Sequence, residues 1–211
     1  MFGIVNFELY LFATLIFIIT PGMDTIFVLN SSLGENRKVG IFSALGVNAG
    51  ILVHTFFAAF GLSMILAQSA TAFMLIKYLG AAYLIFIGLK ALLSKHEKME
   101  FEARNSNESH SIWKSFRQGL ITNVLNPKVA LFFLSFFPQF VSHDAIGSGL
   151  PFLILGFTYV ALGIVWYISL VLCVNLFAER LKRQPAFQKY LNKVSGFIFV
   201  LMGLKIAVTK N

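Results

Sequence analysis

Apolar residues run for roughly 20 positions at a time along this chain before a short polar segment interrupts them. Each run is long enough to cross a hydrocarbon core of about 30 Å as a helix. Hydropathy and helix breakers together place six helices, near residues 5–29, 39–67, 70–93, 118–140, 149–177 and 190–209. The expected fold is therefore an all-α integral membrane protein of six transmembrane helices.

Positive charge sorts the connections between these runs. Arg37 and Lys38 lie in the first; Lys90, Lys95, Lys98, Arg104, Lys114 and Arg117 in or beside the third; Arg180, Lys182, Arg183, Lys189 and Lys193 in or beside the fifth. The even connections are nearly bare: Lys77 follows the second, and SHDAIGSG at 142–149 holds neither Lys nor Arg. By the positive-inside rule the odd loops face the cytoplasm and both termini face the opposite side. The third connection, SKHEKMEFEARNSNESHS at 94–111, is polar and mixed in sign, as a flexible linker would be.

Composition agrees with a lipid environment. Of 211 residues 57% are hydrophobic and 12% charged, with 24 Phe and a mean hydropathy of +0.78, outside the balance of a soluble domain. A net charge of +8 would suit nucleic acid only if it formed a patch on a folded soluble domain. Here it lies between hydrophobic spans, so no nucleic-acid partner is expected. One cysteine, Cys173, cannot form an internal disulfide and is expected to pack within its span. The start, MFGIVNFELY, has no Lys or Arg before the apolar run, so it lacks the cationic head of a signal peptide and reads as a retained first helix.

The chain also divides into halves: residues 1–93, the linker 94–111, and residues 112–211. Three helices on each side of the linker would insert as inverted copies of one unit. Lys77, Gly80 and GLK at 88–90 recur as Lys193, Gly196 and GLK at 203–205, with one residue less between the glycines. The opening helix of each half, the first and the fourth, carries a proline: Pro21 within TPGMD and Pro127 within NVLNPK.

Proline removes a backbone donor and clashes one turn back, so helices 1 and 4 should break at Pro21 and Pro127. Gly22 adds backbone freedom and Asn126 offers both a donor and an acceptor. Freed backbone groups at membrane depth need neighbouring helices or a watery cavity. Asp24 and Lys128 sit beside the breaks, and a charge at helix centre costs about 2.5–3.5 kcal/mol on insertion scales, so both should point inward. Two readings fit them, singly or together. They form a mutual ion pair stapling the halves, or they bracket a zwitterion, Asp24 taking an ammonium group or a proton and Lys128 a carboxylate.

Around this pair, Asn123 stands one turn before Pro127 and should line the second break. His54 shares a stripe with Gly46 and Gly50, a surface that would suit contact within one chain or between chains of a homo-oligomer. A packing role is the simpler one for His54, although imidazole chemistry also suits proton coupling. Asn48 points to another face of that helix. Glu8 lies near the outer end of the first span, and Trp113, Trp166 and Tyr167 read as interfacial anchors or packing.

These motifs together resemble the LysE/RhtB family of bacterial amino-acid exporters. The resemblance rests on ITPGMD at 19–24, Gly46, Gly50 and His54 followed by AAFGLS at 58–63, LIKYLGAAYLIFIG at 75–88 and NVLNPKVALFFLSFFPQFV at 123–141. It covers nearly the whole chain in order, with one departure: Met23 stands where the family has a second proline. The resemblance implies a multi-pass protein of the bacterial inner membrane, six helices in two inverted three-helix repeats. It implies export of small amino acids, threonine- or homoserine-like, coupled to the proton gradient, with no cofactor. It points to Pro21, Gly22, Asp24, Asn123, Asn126, Pro127 and Lys128 as substrate-binding residues. His54, Lys77 and Asn48 stand in a second rank, and Lys77 enters through the resemblance alone.

Two other classes compete. Four scattered histidines, one cysteine and no clustered carboxylates in the spans make a poor ligand set for a divalent-metal exporter. A membrane enzyme using His54 and Asp24 would lack any zincin motif, nucleophile elbow or paired acidic motif.

Overall fold

The computed structural model describes residues 2–34, 36–93, 112–174 and 185–208. The linker expected at 94–111 and the basic cluster at Arg180, Lys182 and Arg183 lie outside them. The described residues form helices α1 (Phe7–Ile19), α2 (Met23–Gly34), α3 (Arg37–Phe57), α4 (Ser63–Gln68), α5 (Ala70–Leu93), α6 (Ile112–Val124), α7 (Pro127–Phe136), α8 (Gly149–Leu172) and α9 (Pro185–Val208). A π-helical turn over Ala58–Leu62 joins α3 to α4 without a break. A 3₁₀ turn over Phe137–Phe140 extends α7.

Both prolines break their helices. A residue before proline is pushed out of the α region, and Thr20 (φ −63°, ψ 115°) and Asn126 (φ −74°, ψ 108°) are both extended. The bend is 50° between α1 and α2 and 51° at the α6–α7 break. Met23, in place of a second proline, does not straighten the first break; it is the first residue of α2.

The protein is a membrane protein with several apolar helices. Among the described residues three helical stretches are long and apolar enough to cross a bilayer, or five if each bent pair is one span. Large apolar side chains such as Phe57, Leu79, Phe86, Val165 and Phe197 point outward, while Thr14, Ser43, Asn48, Thr55 and Asn123 are buried. That inversion of the soluble pattern is what a lipid solvent selects. The helix expected to start near residue 118 begins at Ile112, six residues earlier. Its first turns are amphipathic: Lys114 and Arg117 are exposed while Ser115 and Gly119 are buried. An apolar-run reading stops too early at such a helix end. Cys173, expected inside its span, caps the end of α8 and is exposed.

Small residues set the helix contacts. A Cβ on Gly119 would lie 2.5 Å from the Ser43 carbonyl oxygen, and one on Gly46 would overlap the Phe116 carbonyl oxygen, so α3 and α6 touch backbone to backbone. The stripe of Gly46 and Gly50 therefore serves within this chain. Gly88 and Gly196 meet in the same way between α5 and α9, as do Gly203 and Ala81.

An aromatic core fills one end of the bundle. Tyr10, Phe132, Phe136 and Phe137 are fully buried, Phe17 stacks on Phe132 with centroids 4.0 Å apart, and Phe133 meets Phe137 at 4.1 Å. The Tyr10 hydroxyl donates to the Leu155 carbonyl at 2.6 Å, tying α1 to α8. Tyr10→Phe should cost about 0.5–1.5 kcal/mol, read as a drop of a few degrees in the thermal unfolding midpoint in detergent, with the fold retained. At this end the chain start is strapped down: the Val5 amide donates to Phe140 and the Ser142 amide to Gly3. Ala67 and Gly147 approach each other there too, so the chain start and both even connections share one face.

Candidate functional site

Each proline removes the helical donor of the carbonyl four residues before it, because that donor would be the missing proline N–H. For Pro21 the carbonyl is that of Phe17; for Pro127 it is that of Asn123, which the Asn126 amide reaches instead at 3.0 Å. A basic side chain from the other half answers each. Lys128 donates from Nζ to the Phe17 carbonyl at 3.4 Å and to the Thr20 carbonyl at 3.2 Å, with its ammonium 4.4 Å from the centre of the Phe17 ring. His54 Nε2 lies 3.2 Å from the Asn123 carbonyl oxygen. The two breaks are thus cross-braced.

Asp24 is buried in the first turn of α2. Its Oδ2 accepts from Asn123 Nδ2 at 2.9 Å, with the Asn126 side chain beside the carboxylate. Asn126 Oδ1 accepts from the Lys128 amide at 3.0 Å, capping α7. Asp24 Oδ1 and Asn123 Oδ1 are buried acceptors with no hydrogen-bond partner. Buried polar atoms are nearly always satisfied, so the free oxygen of Asp24, a residue of the cleft lining, asks for a donor, whereas Asn123 Oδ1 packs against Gly50 of α3. Among the described residues Asp24 and Lys128 make no direct ion pair: Asn123 holds the carboxylate, and the carbonyls of α1 hold the ammonium.

Both charges line one cleft with Phe17, Thr20, Gly22, Asn126 and Tyr159. Lys128 lies across Gly22, where a Cβ would sit 3.5 Å from its Nζ. The cleft encloses about 240 Å³ between its atoms, mouth included, but its closed centre has room for only about one water molecule. A break wide enough for a solute is thus not what this conformation holds.

The structure gathers Gly22, Asp24, Asn126 and Lys128 at the cleft, with Asn123 bonded to Asp24; Pro21 and Pro127 set the breaks beside it and are not in its lining. It does not bring the second-rank residues into the lining. His54 reaches Asp24 only through Asn123. Asn48 donates to the Ala44 carbonyl at 2.8 Å and packs on Gly163. Lys77 is buried on α5 with its ammonium 5.9 Å from the Tyr78 ring. Thr25, Tyr159 and Tyr167 line the cleft without having been anticipated. The available signal was spacing: two tyrosines eight apart lie on one face of α8.

A family model described as LysE type translocator matches residues 15–210. The chain is 33% identical over 198 residues to the uncharacterized membrane protein YrhP of Bacillus subtilis (strain 168), covering 91% of this chain and 93% of that one. It is 33% identical over 208 residues to the leucine efflux protein of Enterobacter sp. (strain 638), covering 98% and 97%. A leucine efflux protein of Klebsiella pneumoniae is 29% identical over 210 residues, covering 100% and 98%. No solved structure matches.

Proposed function

The chain belongs to the LysE type translocator family, and on that premise we propose that it exports neutral α-amino acids across the bacterial inner membrane, driven by the proton gradient. The observation that carries this reading is the cleft itself, where an unpartnered carboxylate oxygen and a lysine ammonium face one space between two broken helices. A zwitterion is the solute that complements both. Its ammonium group belongs at Asp24 and the freed carbonyls, and its carboxylate at Lys128 and the amide end of α2. Pro21 and Pro127 create the breaks, Gly22 lets Lys128 pass, and Asn123 and Asn126 hold Asp24.

Phe17, Ile18, Val129 and Tyr159 give the rest of the lining an apolar surface. That surface, with relatives named for leucine efflux, favours a branched aliphatic side chain over threonine or homoserine. Asp24 is the proton carrier in this reading, with His54 as its second-rank partner and Lys77 and Asn48 further off. The architecture it uses is six helices in two inverted repeats, 1–93 and 112–211, joined by 94–111, with both termini periplasmic. Gly88 against Gly196 and Gly203 against Ala81 support that repeat, because they are one contact seen from each half. The shared face of the chain start and the even connections supports the orientation.

The test is efflux of radiolabelled leucine, isoleucine, valine, threonine and homoserine from loaded inverted and right-side-out vesicles, with and without an imposed pH gradient. Leucine-type efflux stimulated by the gradient is the expected result. Threonine or homoserine as the better substrate would overturn the side-chain preference. No amino-acid flux in counterflow would overturn the reading.

A further inference from the structure

Lys128 does more in this structure than wait for a carboxylate. Its ammonium group occupies a seat built by the break itself: the Phe17 carbonyl that Pro21 leaves without a helical donor, the Thr20 carbonyl beyond it, and the face of the Phe17 ring. These are the end carbonyls of α1, so the helix dipole adds negative potential at the same point. Thr20 is fixed there, since its hydroxyl donates to the Ile16 carbonyl at 2.6 Å and lies 2.6 Å from Ser195 Oγ on α9. Carbonyl oxygens plus an aromatic face make a cation site, and carbonyl acceptors at 3.2 and 3.4 Å with a ring beneath suit a primary ammonium group.

We propose that the end of α1 is a binding site for a primary ammonium group, filled by Lys128 in this closed conformation and taken by the substrate's own ammonium group when Lys128 swings to the substrate carboxylate. This deepens the transport reading and rests on it for the second occupant only. It explains why the two charges of the cleft do not pair: each already has a partner, and a zwitterion replaces both sets of contacts at once. The exchange needs no free alkali cation, because Lys128 is a tethered one. It also links occupancy to shape, since Lys128 lies in the first turn of α7 and Phe17 in the last turn of α1; releasing the seat unfastens the two halves at their breaks.

The experiment measures the seat without transport. Lys128→Ala, purified in detergent, is heated in ethylammonium chloride and in tetramethylammonium chloride at equal ionic strength. Ethylammonium should raise its unfolding midpoint by about 2–4 °C at roughly five times the dissociation constant, tetramethylammonium should not, and wild type, whose seat is filled, should respond to neither. Adding Pro21→Ala, which returns an N–H to the Phe17 carbonyl, should abolish the response. Lys128→Ser serves if the alanine variant is not recovered. Equal response to both cations, response in wild type, or none in either variant would overturn the site. A midpoint shift in Lys128→Ala with no amino-acid efflux by wild type would keep the site and discard the transport reading; wild-type efflux without the shift in the variant would do the reverse.

Discussion

Asp24→Asn should reduce amino-acid efflux from loaded vesicles to background while leaving at least the wild-type amount of protein in the membrane. The two halves of that expectation come from one fact. A carboxylate at this depth costs about 2.5–3.5 kcal/mol on insertion scales, so a neutral amide of the same shape relieves the fold. Asn still accepts from Asn123 through its oxygen, and the packing around Asp24 is unchanged. What it cannot do is carry a proton or offer Oδ1 as a charged acceptor. A hydrogen bond to a charged group contributes about 1.5–3 kcal/mol, or roughly 10- to 150-fold in binding alone, and on the proposed reading, in which Asp24 carries the proton, coupling is lost as well. Efflux and counterflow are measured beside the detergent melting curve. Normal efflux from the variant would remove Asp24 from the mechanism, whereas lost efflux with lost protein would mean the residue is structural.

The breaks were legible in the sequence because proline acts through covalent geometry that no tertiary context reverses. Thr20 and Asn126 are extended for the same reason that Phe17 and Asn123 lose their helical donors. The cost of burying charge made Asp24 and Lys128 legible too. Their partners were not, since which group Lys128 meets depends on how the halves sit against each other, and that is decided by glycine contacts distributed over several helices. An ion pair and a bracketed zwitterion, singly or together, were both compatible with the spacing; the folded chain shows another arrangement, each charge held by neutral groups. Tyr159 and Tyr167 stayed hidden because a tyrosine in an apolar run reads equally well as packing. Lys77 was named through the resemblance, but its burial was not legible, because its place after a short connection resembles that of an interfacial residue, while Gly80, one turn on, packs tightly on Ser135 of α7.

Gly46→Ala should be the most damaging single methyl added to the bundle. Its Cβ would overlap the Phe116 carbonyl oxygen and approach the Leu120 amide nitrogen at 3.1 Å, and both are backbone atoms of α6 that no rotamer change can move aside. The helices must separate, and overpacking of this kind costs about 1–3 kcal/mol, or roughly 2–12 °C in the unfolding midpoint of a chain this long. Separation also reaches the cleft. The bond from Asn123 to Asp24 and the approach of His54 to the Asn123 carbonyl both involve the C-terminal end of α6, so efflux should fall further than stability. Gly61→Ala is the matched control, because a Cβ there meets nothing within 4 Å, and it should change neither the midpoint nor efflux. If Gly46→Ala behaves like Gly61→Ala, α3 and α6 are not in backbone contact, and the cross-bracing of the two breaks has no scaffold to hold it.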